Sequence, residues 1–472
     1  MTSETARIPF PGRLVIVGFG SIGQGVLPLL LRHIDVARER IAIVTADGRG
    51  EEVARAAGVS WRRVTLTPEN YHAILEPLLA PGDFLLNLSV EVSSLALIEL
   101  CQIAGALYID TCIEPWAGGY TDDALPPERR TNYVLREAAL ALRRKYAHGP
   151  TAVLTHGANP GLVSHLLKQA LLNIARDSGR TRVPPTGREG WAALAEELGV
   201  RVIHIAERDT QLARAPKHPG EFVNTWSIDG FVAEGCQPAE LGWGSHERHL
   251  PPDGARHGSG CGAAIYLKRP GAATRVRTWT PNEGPFLGFL ITHGEAISIA
   301  DYYTRRQGAE VAYRPTVHYA YHPCDDAVLS LHELAGKAWR KQSAQRLLME
   351  EIESGMDELG VLVMGHAKGA YWFGSQLSIQ AARRLAPCNN ATSLQVTAAV
   401  LAGAVWAIEN PARGIVEPDE MDFARILEIA SPYLGDLVGA YSAWTPLADR
   451  GRLFVEDVDA DDPWQFKNFR VT

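Results

Sequence analysis

The stretch Arg13-Leu14-Val15-Ile16-Val17-Gly18-Phe19-Gly20-Ser21-Ile22-Gly23 decides how the rest of the chain is read. Residues 13–17 are a short apolar, β-branched run, as a strand buried on both faces should be. The run ends in G-x-G-x-x-G, and a helical pattern follows over residues 24–33, with Val26, Leu27, Leu30 and Leu31 on one face. In such a turn Gly18 allows the tight bend, Gly20 lets the backbone approach a pyrophosphate, and Gly23 lets helix and strand pack closely. The free N–H groups of Ser21 and Ile22 at the helix start add a positive pole for phosphate. Pro28 falls inside this helix and predicts a bend.

Residues 41–44 read as a second strand, ending at Thr45-Ala46-Asp47. Asp47 lies 24 residues beyond Gly23. A carboxylate there accepts from a ribose 2′-hydroxyl and repels a 2′-phosphate, so NAD is favoured over NADP. The glycine motif alone is common. Strand, helix and acidic terminus together predict a Rossmann-type dinucleotide site.

The α/β alternation continues outward. Residues 61–64 and 83–90 read as further strands, 94–104 as a helix, and 106–110 as a fifth strand leading into Thr111-Cys112-Ile113-Glu114-Pro115-Trp116. Ligands of open parallel sheets bind beyond the carboxyl ends of the strands. Those ends bring Asn87, Ser89 and Thr111 to the nicotinamide half of a dinucleotide and set Glu114 beside its reactive ring. A charged, proline-rich break at 122–130 precedes a helix at 133–144. Residues 151–155 read as a strand, followed by His156-Gly157-Ala158-Asn159-Pro160-Gly161 and a helix. Asn159-Pro160 suits a helix start, with Asn as cap and Pro at the first position.

Beyond residue 200 the pattern changes. Short strand-like runs at 201–206, 221–226, 262–267, 275–279, 288–293 and 317–321 are separated by Gly/Pro/Asn turns, which predicts a largely antiparallel sheet. Residues 394–408 read as a long Ala-rich helix stopped by Asn410-Pro411. The expected fold class is therefore α/β plus α+β. An NAD-binding Rossmann-like domain covers 1–150 with a C-terminal return at about 385–472, and a substrate and dimerisation domain covers 151–384.

The 472 residues carry 46 basic and 54 acidic side chains, a net charge of −8, and 46% are apolar. The acidic balance argues against nucleic acid as a partner. No apolar run reaches the roughly 20 residues of a membrane helix, and MTSETARIPF lacks an apolar signal core. The expected location is the cytoplasm. The six cysteines form no CxxC pair, His246-Glu247-Arg248-His249 is not HExxH, and no G-x-S-x-G elbow occurs, so neither a metal centre nor a serine nucleophile is expected.

Between Glu207 and Glu295 the chain gathers Asp209, Trp226, Asp229, Glu234, Trp243, His246, Glu247, Trp279, Glu283 and His293. An indole beside carboxylates suits an alkylammonium ion, through charge and a cation–π contact. Each of these residues alone also reads as core or solvated surface.

The chain resembles the bacterial homospermidine synthases, within the wider saccharopine-dehydrogenase-like group. The resemblance runs over essentially the whole length, through RLVIVGFGSIGQGVLPLL (13–30), NLSVEVSS (87–94), YIDTCIEPW (108–116), LTHGANPGLVSHLLKQAL (154–171), AERDTQ (206–211), EFVNTWSIDGFVAEG (221–235) and FLITHGEAISIADYY (289–303). It implies a redox-neutral condensation of two putrescines, with NAD behaving as a prosthetic group, and a homodimer. It further implies that Glu114, Asn159, Glu207, Trp226, Glu234 and His293 line the substrate pocket, with Trp226 against the cationic imine. Glu295 ranks below them. Two other readings stay open. One is a saccharopine- or carboxynorspermidine-dehydrogenase-type reductive amination, which would need pocket arginines such as Arg208 or Arg314. The other is a non-catalytic NAD-binding regulator.

Overall fold

The structure, a computed structural model, describes residues 7–180 and 183–471. Two sheets organise it. The first has seven parallel strands among the described residues, in the order Ile415–Val416, Ala152–Val153, Leu107–Asp110, Phe84–Asn87, Leu14–Val17, Ile41–Thr45 and Ser60–Arg63. Leu14–Val17 sits inside it with all four residues buried, which is why its sequence is apolar without alternation. Leu14 and Ile16 pack with Val26, Leu27 and Leu30 of the helix Ser21–His33. Val15 and Val17 pack on the other face with Leu97 and Ile98 of the helix Ser94–Ala104. Ser21–His33 runs as one helix through Pro28.

Strand order reverses at Leu14–Val17, whose neighbours are Ile41–Thr45 and Phe84–Asn87. Ligand crevices open at such switch points. Gly18 has φ +84°, and a Cβ there would lie 2.6 Å from the Ser89 backbone, so the loops that floor the crevice touch through a glycine.

The second sheet is mixed and largely antiparallel. Its main path is Gly254–Arg256, Ala264–Pro270, Pro238–Gly242, Thr316–His322, Val202–Asp209, Met356–His366, Gly369–Ser378 and Asp436–Ser442. The hairpin Arg275–Thr280/Gly284–Phe289 and the short strand Arg470–Val471 join at the side. Thr316–His322 and Val202–Asp209 are the parallel pair. The helix Ala391–Glu409 lies buried almost throughout, packed on Ser21–His33 and reaching both sheets. It is long and apolar enough to cross a membrane, but its surroundings are protein.

Several local expectations change. The strand expected at 221–226 is Glu221–Asn224. It pairs in parallel with Ala344–Leu347 outside the large sheet, which leaves Trp226 in the loop before the helix Ile228–Cys236. The strand expected at 288–293 ends at Phe289, and His293 caps the helix Gly294–Tyr302. Asn159 is not the cap of the following helix; Gly161 is, with φ +123°, and the helix is Leu162–Asp177. The tail beyond 385 divides: Ile415–Val416 extends the parallel sheet, whereas Asp436–Ser442 and Arg470–Val471 extend the other. The antiparallel pair Met356–His366/Gly369–Ser378 was not foreseen.

Candidate active site at the crevice between the sheets

A cavity of about 540 Å³ runs along the carboxyl ends of the parallel strands and under the second sheet. At one end it is walled by the glycine turn, Thr45, Asp47, Leu66 and Ser89, and at the other by Asn159, Glu207, Trp226, Glu234 and His293. Gly18, Gly20, Ser21, Ile22 and Thr111 also line it.

The first end fits a dinucleotide. A Cβ on Gly20 would meet nothing within 4 Å, so the backbone there faces open cavity. The helix Ser21–His33 begins with Gly20 as cap, without a side-chain capping bond or an acid in its first turn, so its N–H groups remain for an anion. Gly23 lies behind this surface, where a Cβ would press within 2.9 Å of Gly18 O and the Phe19 ring. Asn87 is also behind it: its Oδ1 accepts from Ser89 Oγ at 2.6 Å, and its Nδ2 donates to the Tyr108 hydroxyl at 3.3 Å. Asn87 shapes the Ser89 loop rather than the cavity wall. Asp47 is half exposed and accepts from Arg49 N at 2.9 Å and Arg49 Nε at 2.8 Å, and the guanidinium holds its carboxyl below the usual range.

The second end is acidic and aromatic. Glu207, on Val202–Asp209 and 2% exposed, accepts from Asn159 Nδ2 at 2.8 Å and from the Tyr319 hydroxyl at 2.5 Å. Burial pushes its carboxyl up to about 7 against those two donors. Asp209 on the same strand and Asp357 on the neighbouring one are also fully buried. Burial raises both, and Glu207 and Asp209 push Asp357 up further. Asp209 accepts from Thr225 Oγ1 at 2.7 Å, next to Trp226, whose Nε1 donates to the Tyr321 hydroxyl at 3.1 Å.

His293 lies between two carboxylates, with Nε2 2.9 Å from Glu234 and Nδ1 3.3 Å from Glu295. Burial opposes its charge, but the two acids outweigh burial and push its pKa up to about 10. Glu114 does not line the large cavity. It sits behind Cys112 in a small adjoining space of about 10 Å³, whose walls include Glu234 and His293. Its carboxylate accepts from Cys112 Sγ at 3.3 Å and Glu91 N at 3.3 Å, and burial pushes its pKa up to about 8. Glu91 takes a left-handed φ of +62° to aim that N–H.

Asp229 of the sequence cluster also lines the cavity, where it pairs with Lys341 at 2.6 Å, but other residues of that cluster do not converge. Trp243 is core. His246 and Glu247 hold the C-terminal segment through Trp464 O and Phe466 N. Trp279 packs under the far face of the sheet. Arg208 pairs with Glu283 and Asp325, and Arg314 bonds Thr304 and the Gly262 carbonyl; neither lines the cavity. Sequence reasoning missed Asp357, Tyr319 and Glu240. Glu240 is fully buried and accepts from Asn132 N at 2.7 Å and Thr292 Oγ1 at 2.8 Å, tying a helix of the first sheet to the residue before His293. A lone acid in a strand of otherwise apolar residues was the available signal for Glu240, whereas Asp357 is followed directly by Glu358 and carried no such signal.

A parallel-sheet dinucleotide crevice closed by a mixed second sheet defines a saccharopine-dehydrogenase-like protein. The saccharopine dehydrogenase NADP-binding domain family matches residues 14–153, and the saccharopine dehydrogenase C-terminal domain family matches residues 157–441. The homospermidine synthase of Blastochloris viridis is 57% identical over 465 residues, covering 98% of this chain and 97% of that protein. That of Mesorhizobium japonicum is 51% identical over 467 residues, covering 98% and 96%. The Legionella pneumophila homospermidine synthase, solved in complex with NAD, superposes with a TM-score of 0.93 at 52% identity, covering 99% of each chain. Yeast saccharopine dehydrogenase, at 11% identity and a TM-score of 0.54 over 92% of this chain and all of that one, shares the fold. The chain belongs to the homospermidine synthase family.

Proposed function

We propose that this chain condenses two putrescine molecules into sym-homospermidine with release of ammonia, using NAD as a prosthetic group. The observation that carries the reading is one continuous cavity with a glycine-cradled dinucleotide end and an end formed by Trp226, Glu207, Glu234 and His293. Bound NAD supplies a hydride acceptor and, later in the same turnover, the hydride donor for the carbon beside the amine. Gly18, Gly20, Ser21, Ile22, Asp47, Ser89 and Thr111 would hold it, with Gly23 and Asn87 supporting those loops from behind. Asp47 favours a free ribose 2′-hydroxyl.

The remaining chemistry falls to side chains. Trp226 offers its ring face to the cationic imine, a contact worth about 2 kcal/mol when desolvated. Glu207 and Glu234 hold ammonium groups, and Asn159 fixes Glu207. His293, held as an imidazolium with its two N–H groups on Glu234 and Glu295, orients Glu234 and passes a proton towards the departing nitrogen through that carboxylate. Glu114, poised to about 8, exchanges a proton near neutral pH beside it. Among the described residues lining the cavity, the one guanidinium is that of Arg49, beside Asp47. A carboxylate-bearing substrate would find no guanidinium or ammonium beside Trp226, only the His293 imidazolium already paired with Glu234 and Glu295.

Incubation with putrescine and catalytic NAD tests the reading. Homospermidine and ammonia without net NADH are expected. A net change in NADH would instead indicate reductive amination, and no turnover a regulator. A homodimer in the cytoplasm goes with the proposal; light scattering after gel filtration checks the stoichiometry.

A further inference from the structure

Tyr319 lies on Thr316–His322, a strand that carries none of the substrate-pocket residues expected from the sequence, yet it touches three features of the amine site. Its hydroxyl donates to Glu207 Oε2 at 2.5 Å. Its ring stacks on His293, with centroids 4.4 Å apart and planes 28° apart. On the same strand face it stacks on Tyr321 at 5.1 Å and 11°, and Tyr321 accepts from the indole of Trp226. Strand residues two apart point the same way. One strand face thus spaces Glu207, His293 and Trp226.

We infer that Tyr319 is a positioning residue of the amine site, whose hydroxyl orients Glu207 and keeps it ionisable while its ring holds His293 in place. The inference rests on the proposed diamine reading only for what Glu207 binds, since the geometry is independent of it. The Tyr319 hydroxyl stays protonated, because burial and then Glu207 push its pKa well above the ordinary phenol value, so it donates throughout the working range.

The groups facing Glu207 are few. Asp209 on its own strand and Asp357 across Met356–His366 oppose its charge, whereas His293 favours it. Tyr321 lies beside Tyr319, and Asn159 donates from the loop beyond Ala152–Val153. Of the donors, Tyr319 makes the shorter bond. A hydrogen bond to the charged form lowers a carboxyl pKa. Without the hydroxyl, burial and the two acids would keep Glu207 protonated to higher pH.

The test uses the full-length, NAD-loaded protein. Tyr319→Phe keeps both ring stacks and removes one oxygen. The infrared carboxyl band that disappears in Glu207→Gln is titrated without diamine. Its midpoint is expected to rise by about one pH unit in Tyr319→Phe, and kcat/KM for putrescine to fall about tenfold at pH 7, with a smaller loss at pH 9. 3-Fluorotyrosine at position 319, a stronger donor of nearly the same shape, should lower the midpoint, and it keeps the question answerable if the phenylalanine variant does not fold. A midpoint unmoved by either change overturns the inference. A wild-type protein that makes no homospermidine overturns the proposed function instead, and the infrared result still decides the role of Tyr319.

Discussion

His293 Nε2 lies 2.9 Å from Glu234 Oε2, and the opposite ring nitrogen faces Glu295 at 3.3 Å. An imidazole between two acids at neutral pH is a cation, here with a pKa of about 10. A histidine raised in the folded state stabilises fully below its unfolded value of about 6.5, and the contribution fades as pH rises through the folded value. Replacement by Gln should therefore lower Tm most near pH 6, and the gap should narrow towards pH 10. Calorimetry of both proteins across that range checks this; a gap independent of pH would mean that the ring is neutral.

Glu114 has the opposite linkage. Its buried carboxyl is raised to about 8, so the unfolded chain ionises first and the folded state is progressively penalised from about pH 4.5 to about 8. Glu114→Gln should raise Tm at pH 8 by several degrees and leave it unchanged at pH 4. Turnover should fall at least tenfold, as expected where a strained charge serves the reaction. A Tm difference of equal size at both pH values would show that the carboxyl is not neutral in the folded protein.

For Trp226, the loss on truncation should depend on whether a ring remains. About 2 kcal/mol of cation attraction corresponds to roughly thirtyfold in rate. Trp226→Ala should exceed that loss because it also leaves a void, and Trp226→Phe should retain a measurable part of the activity. Steady-state rates for the two variants decide the matter, and equal rates exclude a role for the ring face.

Gly18 and Gly20 should separate folding from cofactor binding. Gly18→Ala places a methyl 2.6 Å from the Ser89 backbone at a positive φ, so it should cost several degrees of Tm even without NAD. Gly20→Ala faces open cavity and should melt like the parent, yet bind NAD at least tenfold more weakly. Melting curves and NAD titrations of the two variants check the pair.

Asp47→Ala should weaken NAD binding by about tenfold, the loss of roughly one charge-assisted hydrogen bond. It should also release Arg49, now paired with it at 2.6 Å, to meet a 2′-phosphate. Titration with NADH and NADPH should show the preference narrowing; an unchanged ratio would mean that another group reads the ribose.

The parallel sheet was legible because strands buried on both faces spell continuous apolar runs and its glycine turn has a fixed spacing. The pair Met356–His366/Gly369–Ser378 was not, because acids and glycines break the run. Gly360 and Gly374 are needed where the two backbones and Trp372 close on one another, and Asp357 faces the cavity-side acids rather than solvent. Asn159 looked like a helix cap because Asn-Pro carries that local preference, and only the packed structure shows its amide reaching Glu207 across 48 residues of sequence. Trp226 and Trp279 are indistinguishable by composition, and one borders the cavity while the other packs beneath the sheet. The family resemblance, rather than spacing, singled out the converging set.

Asn159 arrives from the loop beyond the first sheet, Glu207 from the second, and the amide–carboxylate bond between them closes the amine end. A hinge motion wide enough to free the dinucleotide would pull these two apart and dismantle the cradle for the half-converted diamine. For the proposed reaction, cofactor and unfinished intermediate would then be kept or forfeited as a pair, so that a water-sensitive imine would not escape alone.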